Sequence, residues 1–123
     1  MNRPRRDERG SGTVYALGVI AVLLAAAVGI AGLIQAHSAT GRARAAADLA
    51  AISGATVLSS VVAPGDPCAM AGRVAAANGA SVSACSVAGE DVTVSVTVPA
   101  TILGLPRQAA AQARAGPVDA PAG

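Results

Sequence analysis

The sequence predicts an α+β protein: a long N-terminal membrane-spanning α-helix, then a short helix, then a small antiparallel β-hairpin or three-stranded sheet. Three observations carry that prediction. Residues 13–34 contain no charged side chain, residues 35–63 contain no proline and many alanines, and Val92, Val94, Val96 and Val98 alternate with Thr93, Ser95 and Thr97. The first run has the length of a membrane span, the second favours a continuing helix, and the third has the period of a half-buried strand.

Residues 1–12 read as a basic cytoplasmic tail, with Arg3, Arg5, Arg6 and Arg9 set against Asp7 and Glu8. The rest of the chain sums to zero, because Arg42, Arg44, Arg73, Arg107 and Arg114 are balanced by Asp48, Asp66, Glu90, Asp91 and Asp119. No net basic domain points to nucleic acid, so no nucleic-acid partner is expected. Phe and Trp are absent and Tyr15 is the only aromatic residue, which leaves little area per residue to bury and argues against a pocket walled by large side chains. No small-molecule substrate is expected.

The run 13–34 is 22 residues long and holds eleven Leu, Ile or Val. At about 1.5 Å per residue it reaches roughly 33 Å, enough to cross a hydrocarbon core of about 30 Å. A secretory signal has an apolar region of only about 7–15 residues, and Ala36-His37-Ser38 makes a poor small-x-small cleavage site. The run is therefore read as retained. More arginines precede it than the two, Arg42 and Arg44, that closely follow it, which places the N-terminus in the cytoplasm and the C-terminal domain outside. Within the span, Gly18, Ala21, Ala25, Gly29 and Gly32 form a small-residue stripe on which another helix could pack closely.

Helical character is expected to continue through residues 35–63, rich in Ala43, Ala45, Ala46, Ala47, Ala50 and Ala51, with a break near Gly41 or Gly54 left open. Leu49, Val57 and Val61 point in three directions around such a helix, so no clean amphipathic face is expected. Residues 64–116 should form a small αβ head. Pro64-Gly65-Asp66-Pro67 reads as a turn, and Cys68 to Asn78 as a short helix stopped by Gly79. Ser81 to Val87 and Val92 to Val98 form a hairpin across the turn-like Ala88 to Asp91, and Pro99 closes the second strand. The edge of this hairpin is expected to be open to partners. Gln108 to Gly116 suits either a third strand or a helix. Residues 117–123 are expected to be disordered.

Cys68 and Cys85 would both lie on the oxidising side, and a small Ala/Val core needs extra constraint, so a disulfide is the economical reading. Two reduced, buried thiols are the alternative. A zinc site would need more ligands than these and the distant His37, so neither a metal nor a cofactor is expected. Catalysis is not expected either. His37 has no neighbouring carboxylate to orient it, and Glu90-Asp91 reads as a solvated turn rather than an acid/base pair.

Two segments resemble a known family. Arg9-Gly10-Ser11-Gly12-Thr13-Val14 looks like the leader junction of a type IV prepilin, and it is joined by Ala45-Ala46-Ala47-Asp48-Leu49-Ala50-Ala51-Ile52-Ser53-Gly54-Ala55. Together they resemble the TadE-like minor pilins and pseudopilins of Flp (Tad) pilus systems, especially the short actinobacterial type, over most of residues 5–116. The resemblance implies cleavage by a prepilin peptidase after Gly10, leaving Ser11 as the new N-terminus with the apolar helix retained. It implies pilin-like or pilus-assembly proteins as partners within the membrane. Such pilins carry a glutamate five residues into the mature chain, where this sequence has Tyr15. The expected function is that of a structural, non-enzymatic component of a Tad-like pilus or secretion apparatus. A permanently anchored envelope protein that enters no filament is the alternative.

Overall fold

The computed structural model describes residues 2–117, with side chains from residue 10 onward. The fold is α+β, in the order α1 (Asn2–Ser59), α2 (Pro67–Ala77), β1 (Ser81–Ala88), β2 (Asp91–Ile102) and β3 (Leu105–Ala115). The chain divides into two compact units, Met1–Ile34 and Gln35–Gly123. Residues 118–123, most of the tail expected to be disordered, lie outside the described residues, as do the side chains of the basic N-terminal residues.

In the first unit, residues 10–34 are helical and, apart from Gly32, exposed. The helix has no break, because no proline interrupts it and its alanines and leucines are strong helix formers.

In the second unit, α1 from Gln35 onward and α2 cover one face of a three-stranded antiparallel sheet of order β1-β2-β3. The core is built from alanine against valine. Val92, Val94 and Val96 are fully buried on one side of β2, and Ala43, Ala46, Ala47, Ala50, Ala51, Ala71 and Ala75 meet them from the helices. Each valine contributes about 1.5–3 kcal/mol by leaving water. The alanines contribute by letting the backbones approach, which closes the gap that a core without large aromatics would leave.

This arrangement corrects the expectation that the outer half of α1 has no clean face. Ala39, Ala43, Ala46, Ala47, Ala50, Ala51 and Gly54 are buried at three- and four-residue spacing, which is one helix face. The face is made of the smallest side chains, while Leu49 and Ile52, 46% and 56% exposed, lie off it. Neither Gly41 nor Gly54 breaks the helix. The two glycines differ in surroundings: a Cβ at Gly41 would meet nothing within 4 Å, whereas one at Gly54 would lie 3.0 Å from the Pro67 carbonyl oxygen and 3.1 Å from Val92 Cγ1. Gly41→Ala is therefore expected to stabilise the second unit by about 1 kcal/mol through helix propensity. Gly54→Ala loses that gain against a backbone carbonyl, so its urea midpoint should fall below that of Gly41→Ala and of the unsubstituted chain.

Helix α2 begins where Asp66 caps it, its carboxylate accepting the N–H groups of Cys68 at 3.0 Å and Ala69 at 3.4 Å, with Pro67 in the first turn. It ends at Gly79, whose φ of +74° turns the chain so that the Ala80 N–H donates to the Ala75 carbonyl. The uneven alternation of β1 has a definite cause, a bulge between Val82 and Ala84. The extra residue lets Val82 and Cys85, three apart, both pack against the core.

Strand β2 does not end at Pro99, contrary to expectation. Its pairing with β1 starts at Ser81↔Thr97 and its pairing with β3 runs on through Pro99↔Gln108 to Ile102↔Leu105. Beyond Thr97, β2 has no β1 neighbour on that side, and a missing N–H is tolerated at such an open position. Gln108 to Ala115 is strand, which settles the open choice. Each of Ala109, Ala111, Ala113 and Ala115 is paired with a valine of β2, and burial against that row outweighs the helix propensity of alanine. β2 is consequently the central strand. The open edges belong to β1 and β3, not to the Val92–Val98 segment.

Candidate functional site

The sequence-derived candidates fall into three places. Gly10 and Ser11 lie in α1 and are exposed. From residue 10 onward, the stretch Gly10-Ser11-Gly12 is the poorest helix-forming part of α1, and a Cβ at Gly10 or Gly12 would meet nothing within 4 Å.

The second place is the small-residue stripe. On a continuous helix Gly18, Ala21, Ala25, Gly29 and Gly32 fall within an arc of about 80°, so the fold brings all five to one side. A Cβ at Gly18 or Gly29 would also meet nothing within 4 Å. Around this stripe the large apolar side chains are uncovered: Val14, Leu17, Ile20, Leu23, Leu24 and Leu33 are among them. A contiguous apolar surface of this size is unfavourable in water and calls for lipid or another helix. Described α1 contains a segment long and apolar enough to cross a membrane.

The third place is the cysteine pair. Cys68 at the start of α2 and Cys85 in β1 are joined by a disulfide, with their Cα atoms 5.8 Å apart and a sequence separation of 17. It holds α2 against the edge strand β1. Glu90 is exposed at the β1–β2 turn, and Asp91 is held in an ion pair. The Asp91 carboxylate accepts from Arg114 Nε at 3.1 Å and also from Nη2. That pair ties the start of β2 to the end of β3, so Asp91 has a structural role at the sheet margin. His37 is exposed on α1.

One feature was missed in the sequence. The N–H of Leu103, in the β2–β3 turn, donates to Gln35 Oε1 at 2.8 Å. Gly104 before Leu105-Pro106 was the available signal for a turn there. A nearby open cleft brings together Arg42 of α1 and Arg107 of β3.

No curated protein and no solved structure matches the chain. A family model does match, over residues 10–57, and its description is "Putative Flp pilus-assembly TadE/G-like". The matched stretch coincides with nearly all of the described α1, and takes in the apolar run, the small-residue stripe and the alanine face that packs on the sheet. Over residues 10–57 this chain is therefore similar to the TadE/G-like Flp pilus-assembly family, which relates it to pilus assembly.

Proposed function

We propose that the chain is a structural, non-enzymatic TadE-like minor pilin or pseudopilin, or an accessory component, of a Tad-like pilus assembly or secretion apparatus. The single observation that carries this reading is the uncovered apolar helix 13–34 lying inside the family-matched segment. The helix holds the subunit in the membrane with its N-terminus cytoplasmic and residues 35–123 outside, and its small-residue stripe receives the helix of a pilin-like partner. Gly10-Ser11 is the junction at which a prepilin peptidase cuts, and the weak local helix there lets the backbone enter a protease site.

The experiment is co-purification of the full chain with the pilin-like proteins of its own membrane. A25L/G29L fills the stripe with bulk while keeping the span apolar, and it is expected to reduce recovery of those partners about tenfold at equal membrane level, the equivalent of about 1.4 kcal/mol. Unchanged recovery removes helix packing as the mechanism. The second reading, a permanently anchored envelope protein outside any filament, is favoured by Tyr15, which stands where such pilins carry a glutamate able to pair with a neighbouring N-terminal amine.

A further inference from the structure

Leu103 occupies the first central position of the two-residue β2–β3 turn at φ +52°, followed by Gly104 at +78°. Turns with positive φ at both positions ordinarily take Asn-Gly or Asp-Gly, because a branched apolar side chain is disfavoured there. Leu103 nevertheless leaves half its surface exposed, and Leu105 on the far side of the turn is 56% exposed. An unfavourable backbone conformation thus leaves an apolar side chain half exposed, with only partial burial inside the chain to offset it.

The turn has a fixed place. Its Leu103 N–H is bonded to Gln35, and Gln35 directly follows Ile34, the last residue of the charge-free apolar run. On the reading that this run spans the membrane, Gln35 is the first residue beyond the span, and the turn is bonded to it.

Two arginines of the second unit lie toward this turn. Arg42 lies two helical turns past Gln35 on the same side, about 10 Å along the axis, and helical side chains lean back toward the N-terminus. Arg42 and Arg107 line one open cleft with Pro99, Ala100, Thr101 and Pro106, and no acidic residue lines it. At the other end, where Gly54 approaches Pro67 and Val92, the chain places Asp66, Glu90 and Asp91. Arg42 and Arg107 thus share one cleft beside the turn with no carboxylate in its lining, whereas Arg114 lies at the other end, paired with Asp91.

We propose that the β2–β3 turn is a second membrane contact. Leu103 and Leu105 enter the headgroup boundary beside the point where α1 leaves it, and Arg42 and Arg107 engage the phosphates of anionic phospholipids. Guanidinium groups suit this contact because their planar fork pairs with phosphate oxygens, and anionic leaflets attract basic groups close to the surface. The contact fixes how the second unit meets the bilayer.

The chain contains no tryptophan, so a single introduced one is a clean reporter. The full chain carrying L103W or L105W is reconstituted in vesicles of phosphatidylcholine and phosphatidylglycerol with brominated acyl chains. V87W serves as the reference at the far end of β1, and L24W as the reference within the span. The tryptophans of L103W and L105W are expected to be quenched about twofold or more beyond that of V87W, with L24W quenched most. Adding R42E/R107E to L105W is expected to reduce its quenching by about half or more, and unchanged quenching overturns the phosphate contact. Equal quenching of L103W, L105W and V87W, with L24W still quenched, overturns the second membrane contact and leaves the span intact. An unquenched L24W overturns the span, and this proposal with it. Emission of L105W that shifts with protein-to-lipid ratio but is not quenched shows another copy of the chain covering the turn, and overturns the lipid contact.

Discussion

C68A/C85A is expected to melt more than about 10 °C below the unsubstituted chain, measured by circular dichroism of the full protein in detergent micelles. The bond closes a loop of 17 residues, and such a closure restricts the unfolded chain by about 3 kcal/mol. A domain of this size moves about 4–8 °C per kcal/mol. The loss is large because the core offers few other constraints: its largest fully buried side chains are valines. Both cysteines lie C-terminal to the apolar run, and the proposed orientation would place them in an oxidising compartment. The reduced wild-type chain should melt close to the double variant. A drop under about 3 °C would mean that α2 and β1 hold together without the bond.

A47L is expected to loosen the sheet by a comparable amount. Ala47 is fully buried in the cluster that contains Val92, Val94 and Val96. A leucine there forces α1 away from β2 or drives side chains off their rotamers, which costs about 1–3 kcal/mol and more where the backbone cannot shift. Gly54, whose added Cβ would lie 3.0 Å from a backbone oxygen, shows how close the packing is two turns further along the same face. Amide hydrogen exchange of β2 is the appropriate readout, because its central amides exchange only through opening of the unit. Their protection should fall about tenfold to a hundredfold in A47L, corresponding to about 1.4–2.8 kcal/mol, whereas A45L, at an exposed helix position, should leave it unchanged.

Much of this architecture was legible because it is written in period. Valines at every second position of β2 announce a strand with one buried face, and a run of 22 uncharged residues announces a helix that water alone does not accommodate. The alanine face of α1 has the spacing of an amphipathic helix but not its usual residue types. Looking for large side chains led to Leu49 and Val57, while the contact surface consisted of Ala43, Ala46, Ala47, Ala50 and Ala51. Strand β3 was ambiguous for the same reason. Alanine has a helix preference that only the opposing row of valines overrides, and that row is a tertiary fact.

Proline at position 99 gave the right local rule in the wrong place. It excludes a paired N–H, and the sheet has no β1 partner there to pair with. The least legible element was the β2–β3 turn, where leucine stands in for the usual asparagine and the anchoring partner, Gln35, is 68 residues away. The cysteine pairing needed only an even count and a topology. The small-residue stripe is aligned by helical continuity alone, so its five positions could be placed on one side before any coordinates.

The most direct test of the account is the intact mass of the protein isolated from its native membrane, measured with alkylation before and after thiol reduction. The expected result is a chain that has lost residues 1–10, begins at Ser11, keeps the apolar helix, and takes up two alkyl groups only after reduction. A mass including residues 1–10, allowing for loss of Met1, would contradict pilin-type processing and leave a permanently anchored envelope protein.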